Sequence, residues 1–330
     1  MEYFITLRND DTGEFSNTMG DVQYLEVPDA KPISPAHAKG KKEWVKKVMA
    51  AVPKNASGRR HILLHVHGFN IEQREMRARH KAIVQRFQRQ KANGSDFDCL
   101  VISIDWPSDG EFGGKYYWSD REDALRTAKV LFKNFFVPFL ECMCANSKID
   151  VHILAHSMGC YVVREAFTHA EASGALANKD WAVKQVALIA ADISSRSMKK
   201  GKKSSRSMYD RCKRLTNYYS AADNVLSASE GLRFFSFKSA RLGRVGLPRK
   251  RRDDPNSPIL APDHTENVYC SKYYVKNKAS FTDNLNVSHA WYYESDRFFE
   301  DLAHTLEGKL EAEEFPTRTS THLNNLALIP

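Results

Sequence analysis

The chain has 330 residues, long enough for one large domain or two small ones, and 42% of them are hydrophobic, which is enough apolar material for a buried core. No run approaches the ~18 uninterrupted apolar residues of a membrane-spanning helix, and the opening MEYFITLRNDDTGEF lacks the basic-then-apolar layout of a secretory leader. The net charge of +9 is uneven: residues 196–214 hold nine Lys/Arg against Asp210, residues 238–252 hold seven with no acid, and the rest of the chain is left at −6.

In chain order, residues 1–27 alternate short apolar pieces around DDTGEFSNTMGD and read as a β-hairpin. Residues 28–35 are Pro-rich and irregular, and 41–52 suit a short helix. Residues 61–67 (HILLHVH) form a strand ending at Gly68-Phe69-Asn70, followed by a long polar helix over 71–90. Residues 99–105 (CLVISID) form the next strand, ending at Trp106-Pro107-Ser108. A glycine-rich DGEFGG then leads to a helix over 121–140. Residues 151–154 are a buried strand, and YVVREAF resumes helical spacing. Strands over 181–189 and 213–220 end at Asp192 and Asp223. A last strand is expected over 267–275, an amphipathic helix over 295–310, and a poorly ordered tail over 311–330. Strands separated by helices imply β-α-β units, so the expected fold is α/β: a mostly parallel central sheet flanked by helices, with an N-terminal β-hairpin, in one domain spanning 1–310.

The two basic stretches, within 194–214 and 238–265, read as solvated loops or as a docking surface for an anionic membrane or another polyanion. Neither interleaves aromatics with its charges, so no specific nucleic-acid partner is expected. The cysteines (Cys99, Cys142, Cys144, Cys160, Cys212, Cys270) are scattered and several lie in apolar runs, which suits buried thiols and a reducing cytoplasm. Cys142 and Cys144 have no second pair, and His65 and His67 on one strand face have no third ligand nearby. No metal and no cofactor are expected.

Between strand and helix stands Ala155-His156-Ser157-Met158-Gly159. A serine flanked two residues away on each side by small residues is the nucleophile-elbow pattern of α/β hydrolases, where strand and helix pass too closely for bulky side chains. Ala155 replaces the usual first glycine. A serine hydroxyl needs a histidine to take its proton, and that imidazole needs an acceptor on its other nitrogen. This fold places them in the order Ser, acid, His. Among histidines after Ser157, His169 comes too early, His304 lies inside the final helix, His322 lies in the tail and His264 precedes the last strand. His289, in a loop before the final helix, is the expected base. Asp223 is the expected acid, with Asp192, one strand earlier, as the alternative. The oxyanion donors are expected to be the backbone amides of Met158 and Phe69, with Gly68 allowing close approach and His67 a structural member of that loop. His156 and Gly159 support the elbow.

Taken together, HVHGFN, WPSDG, LAHSMG, ALIAADI, YYSAADNVLSAS, RLGRVGLP, ENV and SHAWY resemble, from about residue 60 to 299, an α/β-hydrolase family of bacterial proteins catalogued as a domain of unknown function. The resemblance implies a serine esterase or lipase whose triad falls on Ser157, Asp223 and His289. It also implies that the basic segments lie where this fold often carries its lid. The expected activity is therefore cleavage of a small-molecule carboxylic ester. The alternatives are an amidase, lactonase or acyltransferase using the same triad, or a non-catalytic scaffold presenting the basic loops.

Overall fold

A computed structural model describes residues 1–108, 114–131, 139, 148–172, 181–232, 240–248, 261–282, 286–309, 315–321 and 325–330. The chain opens with an antiparallel hairpin, β1 (Glu2–Asp11) and β2 (Glu14–Val27), and a short edge strand, β3 (Ala38–Lys39). Then follow α1 (Lys41–Ala51), β4 (Arg60–Val66), α2 (Gln73–Ala92), β5 (Leu100–Asp105), α3 (Gly114–Leu131), β6 (Ile149–His156) and α4 (Met158–Ala172). The second half holds β7 (Val183–Ile189), α5 (Lys203–Asp210), β8 (Cys212–Tyr219), α6 (Asn224–Leu232), α7 (Leu242–Val245), β9 (Thr265–Tyr269), α8 (Ser271–Asn277), α9 (Val287–Ala290), α10 (Asp296–Glu307), β10 (Arg318–Ser320) and β11 (Leu326–Leu328).

All eleven described strands join one sheet in the order β10-β11-β9-β8-β7-β6-β4-β5-β1-β2-β3. From β11 to β1 every pairing is parallel; only the outer pairs are antiparallel. Alternation along β4 shows why the sheet is covered on both faces. Ile62, Leu64 and Val66 enter a core with Trp44 of α1, Ala124 of α3 and Val162 of α4. Leu63 enters a second core with Ile83 and Phe87 of α2 and Phe299 of α10. Fully burying one such side chain is worth about 1.5–3 kcal/mol, so strand register is strongly fixed on both faces.

Three expectations change. The predicted strand over 267–275 stops at Tyr269, level with the last paired residues of both its neighbours, Tyr219 of β8 and Ala327 of β11. The chain turns into α8, whose Tyr273 and Tyr274 pack on Trp291. The tail, expected to be poorly ordered, supplies two strands: β11 runs parallel to β9, and β10 pairs with β11. Arg318 there is buried and ion-paired to buried Asp301 at 2.6 Å. The basic stretches are likewise more than solvated loops. Residues 203–210 form α5, which buries Met208 and Tyr209, and Arg241 is buried. The predicted helix over 121–140 holds to Leu131. Apart from Phe139, its remainder lies outside the described residues, as do most of DGEFGG, Cys142, Cys144 and residues 249–260. No described helix is long and apolar enough to cross a membrane.

Candidate active site

Strand β6 lies between β4 and β7 and delivers Ser157 at its carboxyl end, immediately before α4. Ser157 has φ +55°, in the left-handed region that costs a non-glycine residue about 1–3 kcal/mol and persists only when its surroundings impose it. Three backbone bonds impose it here. The Ser157 N–H donates to the Ile189 carbonyl at 3.1 Å, and the Ser157 carbonyl accepts from the amides of Cys160 and Asp192, each at 3.1 Å. Gly159 is required by contact: a Cβ there would sit 2.3 Å from the His67 carbonyl oxygen and 2.5 Å from that of Val66. Ala155 is wholly buried, so its methyl fits where glycine is usual.

The expected base and acid meet. His289 is on α9, and its Nδ1–H donates to Asp223 Oδ2 at 2.7 Å; both residues are buried. The other oxygen, Asp223 Oδ1, accepts the Leu226 amide at 2.9 Å and so caps α6. The Asn224 amide donates to Ser288 Oγ at 3.1 Å, tying α9 to the start of α6 and holding the carboxylate and imidazole in register.

His156 connects this pair to the elbow. Its Nε2–H donates to the His289 carbonyl at 3.0 Å, its Nδ1 accepts from Arg79 at 3.2 Å, and its ring lies 4.6 Å from the His289 ring. Arginine can only donate and a carbonyl can only accept, so the tautomer is fixed and the ring is neutral. Burial, reinforced by the neighbouring His289 and Arg79, drives its pKa well below that of an ordinary histidine. Arg79 on α2 is held by Glu75 at 2.6 Å and lies over the Tyr293 ring.

The other expected residues also take defined places. A Cβ at Gly68 would approach Ser157 Cβ to 2.8 Å and His156 Nδ1 to 3.1 Å, so the loop bearing Phe69 lies directly against the elbow. Asn70 follows at φ +56°. His67 stacks on Trp106, accepts the Trp106 amide on Nε2 at 3.2 Å and donates from Nδ1 to the Gly68 carbonyl at 3.0 Å. Burial pushes its pKa down to about 3. Met158 is wholly buried in the first turn of α4.

Asp192 does not join His289. It forms a buried ion pair with Arg241 Nε at 3.1 Å and accepts from Ser229 Oγ at 3.3 Å. Of the other histidines, His264 donates to the Tyr209 carbonyl at 3.1 Å, His304 lies beside Phe315, and His322 is outside the described residues. His65 is hydrogen-bonded to Ser103 and Tyr293. No group of three His, Cys, Asp or Glu side chains among the described residues is arranged to hold a metal. A cavity of about 900 Å³ opens at the amino ends of β4, β6 and β7, lined by Arg59, His61, Asp150 and Lys184 among others, at the opposite end of the strands from Ser157.

A doubly covered parallel sheet with a serine on a strained strand-to-helix turn defines an α/β hydrolase. The chain belongs to the family described as alpha/beta hydrolase of unknown function (DUF900), which matches residues 40–257. That span contains Phe69, Ser157 and Asp223; the N-terminal hairpin and His289 lie outside it. No curated protein matches the chain. Among solved structures it is similar to a cutinase-like protein from Cryptococcus sp., at 12% identity over 77% of this chain and 96% of that one, with a TM-score of 0.33. It is also similar to lipase B of Aspergillus fumigatus, at 11% identity over 74% of this chain and 54% of that one, TM-score 0.33. A third is phospholipase PlaB of Legionella pneumophila, at 10% identity over 81% of this chain and 67% of that one, TM-score 0.34.

The sequence reading missed Arg79 and Arg241. Each is an arginine in a polar or basic stretch, where sequence alone suggests a solvated charge.

Proposed function

We propose that the protein is a serine hydrolase that cleaves carboxylic esters through an acyl-enzyme. The observation that carries this reading is the 2.7 Å bond between His289 Nδ1 and Asp223 Oδ2, with the His289 ring against the residue that precedes Ser157. The carboxylate keeps the imidazole proton on Nδ1, which leaves the Nε2 lone pair as the base. Ser157 Oγ attacks the ester carbonyl carbon while His289 Nε2 takes its proton. The amides of Phe69 and Met158 stabilise the resulting oxyanion, each donor being worth about 3–4 kcal/mol. Collapse of the tetrahedral intermediate breaks the bond to the alkoxide, which leaves with the proton from His289. Water then gives a proton to His289 and attacks the acyl carbon, releasing the acid and restoring Ser157. Esters are the substrate class implied by the family resemblance.

Hydrolysis of short- and medium-chain p-nitrophenyl esters by wild type and Ser157→Ala tests the mechanism. The expected loss in kcat is up to ~10⁶-fold. Equal activity in the two proteins contradicts it.

A further inference from the structure

Arg8 lies on β1, in the hairpin that precedes the family-matched residues, and its side chain is wholly buried. Its Nε donates to Asp105 Oδ1 at 2.8 Å, and one terminal nitrogen donates to Asn17 Oδ1 of β2. The other donates to the carbonyl oxygens of Ile71 at 2.9 Å and Trp106 at 3.4 Å. The second oxygen of Asp105 accepts from Thr6 at 3.0 Å and from Gln73, at the start of α2, at 2.8 Å. The parallel register of β1 on β5 pairs Thr6 with Asp105, which sets Arg8 beyond the end of β5, level with the turn that follows.

These partners bracket one loop. His67-Gly68-Phe69-Asn70-Ile71 is held at its first residue by Trp106, whose indole N–H donates to the His67 carbonyl at 2.9 Å. It is held at its last residue by Arg8 and by Ser108, whose Oγ accepts the Ile71 amide at 3.0 Å. Arg8 also grips the Trp106 carbonyl, so one guanidinium ties both anchor points to the hairpin. Lysine could not do this, since a point ammonium cannot reproduce a planar fork of five fixed donors. A buried ion pair is not needed for stability alone, because apolar side chains of similar size often serve as well or better.

We propose that Arg8 is a positioning residue for the oxyanion-binding loop: through Ile71 and the Asp105–Trp106 turn it fixes the Phe69 amide against Ser157, which makes the N-terminal hairpin part of the active site. This rests on the reading of Phe69 as an oxyanion donor. That donor acts only when aimed at the charge that develops in the transition state.

The test compares wild type with Arg8→Lys and with the double variant Arg8→Met/Asp105→Leu, which removes both charges together and guards against simple unfolding. Hydrogen–deuterium exchange should show faster exchange in peptides spanning 67–72 in both variants, with the elbow peptide 149–160 unchanged. For p-nitrophenyl butyrate, KM should stay within about twofold. The kcat should fall by at least about tenfold, toward the ~10²–10³-fold cost of losing one oxyanion donor. The inhibition constant of a trifluoromethyl ketone, whose hemiketal oxygen occupies the oxyanion position, should rise in parallel. A folded variant with wild-type exchange over 67–72 overturns the positioning role. Faster exchange with unchanged kcat and ketone affinity overturns its link to the oxyanion. If wild type neither hydrolyses esters nor binds the ketone, the serine-hydrolase reading fails, and the exchange result still decides whether Arg8 holds the loop.

Discussion

Two aspartates end neighbouring strands, and their side-chain partners separate them. Asp223 faces an imidazole and Asp192 faces a guanidinium. Asp223→Asn should leave the protein folded and lower kcat by about 10⁴-fold, because an amide no longer holds the imidazole in the correct tautomer. Asp192→Asn leaves Arg241 buried without a counter-charge and should cost about 3–5 kcal/mol of stability, read from urea midpoints. If the Asp192 variant instead shows the larger loss of kcat at unchanged stability, the roles are reversed. His156 is expected to matter through His289: His156→Leu removes the donor to the His289 carbonyl, and a displacement near 1 Å can cost about 10²-fold in kcat. His156→Gln, which keeps an N–H donor, should recover part of that loss with KM unmoved; equal kcat in both variants contradicts the role. At this scale Ser157, Asp223 and His289 were legible as candidates because a chain order and a small-residue spacing mark them. Arg8, Arg79 and Arg241 were not, since nothing in a lone arginine codon tells a solvated charge from one satisfied inside the protein.

The elbow element depends on two backbones meeting without a side chain between them. Gly159→Ala places a Cβ 2.3 Å from the His67 carbonyl oxygen, where only backbone movement relieves the clash. The expected cost is about 1–3 kcal/mol, together with reduced activity, because the strand that must give way leads into the Gly68-Phe69 loop. A Gly159→Ala protein with wild-type stability and kcat would show that the contact is not tight. The central strands β4, β5, β6 and β7 were legible as elements because each is built around a short apolar run buried on both faces. The stretch 267–275 misled for the same reason: VYCSKYYV is apolar and β-rich, and its pairing stops at Tyr269 with the ends of its two neighbours' registers, at Tyr219 of β8 and Ala327 of β11. The tail misled because β10 and β11 are three residues each, too short to carry a period.

Across the whole molecule, His65, His67, His80, His152 and His156 are almost wholly buried, and burial lowers the pKa of each, to about 3 for His67 and His80. The unfolded chain binds protons on these rings below about pH 6.5 while the folded protein does not, so stability is complete above that pH and falls as the pH drops through it. Each ring held neutral contributes a slope of up to about 1.4 kcal/mol per pH unit. Urea midpoints should therefore fall steeply between pH 6.5 and 5, ahead of most carboxylate protonation; a flat profile over that interval contradicts the neutral histidine core. Two of these rings, His65 and His156, meet on Tyr293 behind the elbow, so part of this buried set belongs to the site as well as to the architecture. Whether this sheet presents Ser157 as an activated nucleophile is decided by treating the native protein with a fluorophosphonate probe and locating the adduct by peptide mass spectrometry. A single adduct on Ser157 is expected, slowed severely by His289→Ala and absent in Ser157→Ala. No adduct on the wild-type protein, or an adduct on another residue with Ser157 unmodified, would contradict it.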